Sequence, residues 1–193
     1  MQRNHIDLSN LYVGLVHYPV YNKRGEVICT AVTNLDIHDI ARCASTFDVR
    51  IAYIINPLDS QRELVNRIIR HWTKGAGARY NPVRKRAFDR IQVRATLQEV
   101  IQEISEAHRL PVKTVATDAT WQNGTVSYQE MRELLYGRPQ PYLLVFGTGW
   151  GLAREVLEES DYILAPIEGV LNYNHLSVRS AAAIILDRLM GNR

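Results

Sequence analysis

The sequence is poor in cysteine and has no long uncharged hydrophobic run. Only two of its 193 residues are cysteines, Cys29 and Cys43, and each lies within an apolar pattern. Small buried side chains explain this placement more simply than a disulfide or a metal site does. No uncharged stretch reaches the roughly 18 residues that span a bilayer, and the polar start MQRNHIDLSN lacks the apolar segment of a signal peptide. We therefore expect a cytoplasmic protein with no metal site.

Linkers, repeats and low-complexity tracts are also missing. No run of Gly, Pro or Ser divides the chain, and its 46% hydrophobic and 22% charged residues match ordinary globular composition. A chain of this length can bury a sizeable core. Residues 1–193 are therefore expected to form a single domain.

Hydrophobic periodicity alternates between strand-like and helix-like segments. Short apolar runs at 11–20 and 49–57 are typical of strands, and Thr33 with Asp36 has the spacing of a capping box before a helix. Further strands and helices then alternate to the end of the chain. This order predicts an α/β fold with a mostly parallel sheet covered by helices on both faces.

Three loops directly follow predicted strands and have unusual composition. They are TDAT at 117–120, GTGWG at 147–151 and IEGVLNY at 167–173. Ligands of open parallel sheets bind outside the carboxyl ends of the strands. Alternate glycines let backbone groups approach a ligand closely, although a tight strand-to-helix turn would also use them. We therefore expect the three loops to share one ligand site.

Two nucleotide-binding motifs fit the glycine loop less well. A dinucleotide fingerprint needs a third glycine where Leu152 stands, and only one strand and one helix follow, although Glu168 has nearly the spacing of the ribose-binding acid. A phosphate-binding P-loop needs a Lys followed by Ser or Thr, which is absent. A nicotinamide enzyme stays open as a minor alternative, whereas ATP or GTP hydrolysis is not expected.

The segments LLVFGTGWGL, DYILAPIEGV and NYNHLSVRSAAAIILDRL resemble the C-terminal half of the SPOUT class of RNA methyltransferases. LYVGLVHYPVYNKRGEV and TAVTNLDIHDIARCASTFDV are similar to a small bacterial branch of that class. The resemblance implies a C-terminal trefoil knot, S-adenosylmethionine as cofactor, and a homodimer whose active site is completed by the other subunit. It further implies methyl transfer to a tRNA or rRNA nucleotide, or, as an alternative, a non-catalytic module that binds the cofactor and RNA.

The family's cofactor motifs match the three loops and the start of the last helix. The physical chemistry agrees, because backbone groups can read the adenine edge and apolar side chains can cover its faces. Core packing is an equally simple explanation for the apolar members. The cofactor candidates are Thr117, Asp118, Phe146, Gly147, Gly149, Gly151, Leu152, Ile167, Leu171, Asn174, Leu176 and Ser177.

The first helix carries the catalytic candidates. Many family members have an Arg here with an Asn six residues earlier, and this sequence has Arg42 but Asp36. Asp36, His38, Asp39 and Arg42 can supply a base and an anchor, although a solvated helix face explains them too. His175 is a weaker candidate for the base. The expected reaction is an in-line methyl transfer that requires no metal and depends mainly on positioning.

Positive charge is concentrated in one segment, although the net charge is only +3. TKGAGARYNPVRKRAFDR is interpreted as an adaptable basic loop that contacts RNA phosphates, with Tyr80 available for stacking. A solvated loop is the alternative. The candidate RNA-binding residues are Lys74, Arg79, Arg84, Lys85, Arg86 and Arg90.

Overall fold

The protein forms one seven-stranded parallel sheet and a separate antiparallel pair of short strands. The computed structural model describes residues 10–137, 139–171 and 173–191. The strands are β1 (Leu11–Val16), β2 (Val20–Tyr21), β3 (Val27–Ile28), β4 (Ile51–Ile55), β5 (Ile91–Arg94), β6 (Lys113–Thr117), β7 (Thr125–Val126), β8 (Tyr142–Gly147) and β9 (Tyr162–Leu164). The helices are α1 (Asn34–Thr46), α2 (Asp59–Thr73), α3 (Ala76–Tyr80), α4 (Pro82–Phe88), α5 (Leu97–His108), α6 (Tyr128–Gly137), α7 (Arg154–Glu158) and α8 (Val178–Met190).

The strand order places three loops side by side. The sheet runs β5-β4-β1-β8-β6-β9-β7, and every ladder in it is parallel. The chain first builds from β1 outward through β4 to β5, then crosses to the other side and inserts β8 between β1 and β6. Parallel strands end at the same edge, so the loops after β6, β8 and β9 are neighbours. This edge is where open parallel sheets bind their ligands.

Helices cover both faces of the sheet, as the alternating pattern predicts. Along β1, Leu11, Val13 and Leu15 face one buried cluster, whereas Tyr12 and Val16 face the other. The first cluster includes residues of α1, α2, α4, α6 and α8, and the second includes residues of α5 and α7. The predicted α/β class is therefore confirmed.

Two local predictions differ from the structure. The first strand ends at Val16 rather than reaching Val20, because the chain turns at Pro19, which has no amide to donate to a ladder, and Val20 begins β2. The basic segment is not an adaptable loop but two short helices, α3 and α4. Asn81 caps α4 by accepting from the Arg84 amide, and Pro82 occupies its first turn.

The expectations on the cysteines, on membrane-spanning segments and on the knot have different outcomes. Cys29 and Cys43 are free and half-buried, so neither takes part in a disulfide. Over the described part of the chain, no helix combines the length and apolar character needed to cross a membrane. Most of the polar N-terminal stretch MQRNHIDLSN lies outside the described residues. The trefoil knot stays a prediction.

Candidate functional site

A cleft of about 1440 Å³ opens at the carboxyl ends of β6, β8 and β9. Every cofactor candidate from the sequence lines it except Leu171, whose side chain is 81% exposed and stands outside the cleft wall. The structure therefore does not bring Leu171 to the cleft, and its contact with a cofactor stays a prediction. The loop at 167–173 that contains it also includes Asn172, which lies outside the described residues.

The glycine loop needs glycine for backbone reasons at two positions. Gly149 has φ +62°, and a Cβ there would stand 2.7 Å from the carbonyl oxygen of Tyr21. A Cβ on Gly147 would stand 2.6 Å from the amide nitrogen of Leu152. Both distances are shorter than Cβ atoms tolerate, so the loop closes tightly on itself and on β2. These contacts account for the two glycines as parts of a tight turn, and their role in binding a ligand stays a prediction.

Three backbone hydrogen bonds join residues 19–21 to the glycine loop and to Ala153. The Tyr21 amide donates to the Gly151 carbonyl (3.0 Å), and the Trp150 amide donates to the Tyr21 carbonyl (2.8 Å). The Ala153 amide donates to the Pro19 carbonyl (3.1 Å). These bonds hold the loop from a segment more than a hundred residues earlier. The sequence pattern of this segment predicts only a strand and a turn.

A buried chain of hydrogen bonds links β1 to the glycine loop. His17 Nδ1 lies 2.9 Å from Thr30 Oγ1, which lies 2.5 Å from Thr148 Oγ1. Thr148 Oγ1 donates to the Val16 carbonyl (3.1 Å). Because each hydroxyl has one proton, Thr30 must donate to Thr148, and His17 Nδ1–H must donate to Thr30. Nδ1 of His17 therefore carries a proton.

The opposite nitrogen of His17 is an acceptor without a donor. The side chain is fully buried, and Nε2 has no hydrogen-bond partner among the described residues. Burial lowers the pKa of His17 to about 4, although the nearby Asp36 carboxylate opposes the shift. The imidazole consequently stays neutral at physiological pH and acts as a fixed donor to Thr30.

Two side-chain bonds join the first and third loops. The Asn174 side-chain amide donates to the Ala119 carbonyl (2.6 Å), and Trp121 Nε1 donates to Glu168 (3.0 Å). Glu168 is thus engaged with Trp121 across the two loops. The loops that the sequence places after separate strands form one continuous wall, as expected from their adjacent positions at the sheet edge.

Asp36 lines the cleft, but its carboxylate is already well supplied with donors. Thr33 Oγ1 lies 2.5 Å and the Thr33 amide 3.3 Å from Oδ2, which confirms the predicted capping box. Arg179 Nε, from the first turn of α8, lies 3.3 Å from Oδ1. The carboxylate therefore joins the N-terminus of α1 to that of α8.

The other three catalytic candidates lie outside the cleft. Asp39 and Arg42 line a separate hollow of about 370 Å³ between α1 and α8, where Arg179 also bridges to Asp39 (2.9 Å). His38 packs edge-on against Trp72 and Phe88, with ring centroids 5.2 and 4.7 Å away. Burial, followed by the charge of Arg84, lowers the pKa of His38. The structure thus separates Asp36 from the residues that the sequence groups with it.

The basic segment presents some cations to solvent and uses others internally. Arg84 lies over the Trp72 ring at 4.7 Å, and Arg90 binds the Asp48 carboxylate (2.8 Å) and the Val49 carbonyl. These two guanidiniums are half-buried and help to hold the helices in place. The exposed members of the predicted set are Lys74, Arg79, Lys85 and Arg86.

Several residues of the cleft were not predicted from the sequence. Tyr21 and Thr30 come from the N-terminal third of the chain, and no local pattern ties them to the glycine loop. Thr148, Trp150 and Tyr173 lie inside or beside recognised motifs and also line the cleft. Their polar or aromatic character within a predicted ligand loop is the signal that could have identified them.

Comparisons with known proteins agree with this architecture. Residues 10–191 match the sequence profile of a family described as SAM-dependent RNA methyltransferase. A tRNA (guanine-N(1)-)-methyltransferase of Oleidesulfovibrio alaskensis is 45% identical over 183 residues, which is 95% of this chain but 42% of that protein. An uncharacterized protein of Aquifex aeolicus is 41% identical over 94% of this chain and 88% of its own length.

A solved structure shows the same fold at low identity. The SpoU methyltransferase AviRb of Streptomyces viridochromogenes, in complex with AdoMet, superimposes with a TM-score of 0.56 over 93% of this chain and 56% of that chain, at 17% identity. The chain therefore has a SPOUT-type fold. Because the family profile spans nearly its whole length, it belongs to the family of S-adenosylmethionine-dependent RNA methyltransferases.

Proposed function

We propose that this chain transfers a methyl group from S-adenosylmethionine to a nucleotide of RNA, with residues 1–193 acting as a single SPOUT-like domain. The observation that carries this proposal is the cleft at the carboxyl ends of β6, β8 and β9, which is built from the segments that match the family's cofactor motifs. RNA as substrate also favours the cytoplasm as the place of action.

The cleft suits the cofactor's chemistry. Ile167 is partly exposed and offers apolar surface for an adenine ring, and the buried Phe146 and Leu152 form the floor behind it. A Cβ on Gly151 would have no protein atom within 4 Å, so glycine leaves the wall open at that point. Asp118 and the Ser177 hydroxyl add polar partners for a ribose and an amino acid group.

The contribution of the chain to the reaction is positioning. When bound, S-adenosylmethionine supplies an electrophilic methyl group to a nucleophilic nitrogen or oxygen. The backbone of the glycine loop, together with Ile167, Asn174, Leu176 and Ser177, orients the donor. Asp36 faces the same cleft with its carboxylate held by Thr33 and Arg179. We assign Asp36 the role of orienting the acceptor rather than of a freely accessible base.

We further propose a homodimer in which Arg42 serves the active site of the partner. Arg42 is exposed beside the hollow between α1 and α8, and its guanidinium forms no ion pair with any residue that the structure describes. Asp39, His38 and His175 then have no direct part in the chemistry. A second subunit on the α1 and α8 surface would bring Arg42 to a cleft that it does not reach within its own chain.

The exposed cations of residues 74–86 are proposed to bind RNA phosphates. Lys74 directly follows α2, Arg79 lies in α3, and Lys85 and Arg86 lie in α4; all four are exposed. Phosphate contacts of this kind supply affinity without reading sequence.

The base that is methylated does not follow from the relatives' names. The guanine-N(1) activity is named for a protein of which this chain covers 42%, so it describes that whole protein. The name nevertheless makes tRNA the first RNA to test.

The proposal is tested by calorimetric titration with S-adenosylmethionine and with NAD, followed by transfer of labelled methyl groups to total tRNA and rRNA. We expect saturable binding of the methyl donor alone and methylated RNA. Gly149→Ala adds a Cβ against the Tyr21 carbonyl and should weaken binding by at least about tenfold, by analogy with other steric insertions. Gly25→Ala is the matched control, because Gly25 has φ +76° but open space around it.

The other results of these titration and transfer experiments would each support a different function. Binding of NAD alone would support the nicotinamide alternative, and binding of neither ligand would leave the cleft without its proposed occupant. Binding of S-adenosylmethionine without transfer to either RNA would show a non-catalytic binding module. Equal loss in both glycine variants would show that backbone strain, and not the cleft, controls binding.

A further inference from the structure

A cluster of exposed aromatic rings lies along the cleft. His175 is flanked by Trp150, with ring centroids 5.9 Å apart, and by Tyr173, with ring centroids 5.4 Å apart. All three residues line the cleft, and Trp150 and Tyr173 are 57% and 72% exposed. Large aromatic side chains that remain in water and adjoin a cleft are typical of binding surfaces. We call these three residues the aromatic rim.

The cleft has room for a second ligand beside the cofactor. Its volume of about 1440 Å³ exceeds the roughly 300–1000 Å³ of sites that hold one small molecule. The cofactor motifs account for the glycine loop, Ile167, and the start of α8. The rim adds aromatic surface that these motifs do not require, so it is available to the acceptor.

A nucleobase matches the chemistry of the rim. Unstacked bases of single-stranded RNA bind to Trp, Tyr and His rings by stacking, and every base offers a face for this contact. Asn123 also lines the cleft, and its side-chain amide has no hydrogen-bond partner within the described ranges. Such an amide can pair with a base edge. The cleft therefore combines a surface for the base face with a free group for its edge.

We propose that the aromatic rim of Trp150, Tyr173 and His175 stacks an unpaired base of the substrate RNA and holds it beside the cofactor. This inference rests on the proposed function, since it takes RNA as the partner. The rim is a positioning element, and the phosphate contacts of α3 and α4 act independently of it.

The test compares a short labelled single-stranded RNA with the same oligonucleotide made abasic, using fluorescence anisotropy at fixed salt. The abasic strand keeps the phosphates and loses stacking. We expect the wild-type protein to prefer the base-containing strand by about 5- to 150-fold, the range for loss of one stacked base. Trp150→Ala should abolish most of this preference, and Trp150→Phe should retain much of it. RNA binding is measured without S-adenosylmethionine, so the comparison does not depend on the affinity of either variant for the cofactor.

Tyr18→Ala is the control. Tyr18 is an exposed aromatic residue (46%) that does not line the cleft. Its removal should leave the base preference unchanged. Light scattering on each variant would show whether the rim is instead covered by a second subunit.

Three results would overturn the rim proposal. They are a wild-type protein that binds both strands equally, a Trp150→Ala variant that keeps the full preference, and a loss of dimer mass in Trp150→Ala alone. Failure of the proposed function looks different, because base preference would then be present while no methyl group reaches RNA. A wild-type protein that methylates RNA but shows no base preference would contradict the rim proposal and still support the methyltransferase function.

Discussion

Thr30 Oγ1 and Thr148 Oγ1 lie 2.5 Å apart, although 118 positions separate them in the chain. Thr148 stands between two glycines of the glycine loop, and Thr30 is fixed by the Nδ1–H of buried His17. The hydroxyl pair therefore fixes the glycine loop relative to β1. Its removal should loosen the loop without changing the rest of the sheet.

Thr148→Val tests this connection. The substitution keeps the shape of the side chain but removes the donor to Val16 and the acceptor from Thr30. Loss of buried bonds of this kind costs about 1–3 kcal/mol of unfolding free energy. We expect urea denaturation to show that loss and calorimetry to show weaker binding of S-adenosylmethionine.

Thr73→Val is the matched control for that variant. Thr73 Oγ1 also donates to a backbone carbonyl, that of Ile69 within α2 (2.8 Å), but Thr73 does not line the cleft. The Thr73→Val variant should lose unfolding free energy but keep its affinity for S-adenosylmethionine. Wild-type affinity in Thr148→Val would show that the hydroxyl pair does not support the cofactor site.

His17 should make stability depend on pH. Its pKa is lowered to about 4 in the folded protein and returns to its ordinary value of about 6.5 on unfolding. Between these values the unfolded state binds more protons, so unfolding free energy falls as the pH falls from about 6.5 to 4. The full effect is about 3 kcal/mol, and it is present above the unfolded pKa.

Urea denaturation at a series of pH values measures this effect. His17→Asn keeps a donor for Thr30 and removes the titration, so its stability should depend less on pH than that of the wild type over this interval. Parallel pH profiles for the two proteins would contradict the assignment of a neutral buried imidazole.

Asp36→Asn should separate a positioning role from a base role. An amide oxygen can still accept from Thr33, whereas the charge that pairs with Arg179 is lost. If Asp36 only orients groups, we expect kcat for RNA methylation to fall by less than about tenfold. Loss of a general base would lower it by about 10²- to 10⁴-fold.

Arg179→Gln tests the ion pair between Arg179 and Asp36 from the other side. Arg179 bridges Asp36 and Asp39, so its loss and that of the Asp36 charge should be non-additive in unfolding free energy. Additive effects in the double variant would show that the ion pair across α1 and α8 contributes nothing measurable.

The exposed cations of α4 should affect the salt dependence of RNA binding. Lys85→Gln and Arg86→Gln should each reduce the slope of log affinity against log salt by about one, because each variant neutralises one phosphate fewer. Lys23→Gln, on the exposed turn between β2 and β3, is the control and should leave the slope unchanged. If all three variants keep the slope of the wild type, the RNA does not bind at α4.

Local features of the site could be predicted because they depend on neighbours in sequence. The Thr33 and Asp36 capping box needs only its own spacing, and the positive φ of Gly149 is a property of its own turn. The three loops could also be grouped, since parallel strands end at one edge. Alternating strands and helices likewise determine the two-faced sheet.

The tertiary structure alone decided which distant segments meet. Strand order places β8 between β1 and β6, and only that insertion brings Thr30 and Tyr21 to the glycine loop. The same packing turns Leu171 outward and leaves Arg42 on a surface away from the cleft. Hydrogen bonds and burial act through space, so periodicity along the sequence carries no record of which remote side chains they join.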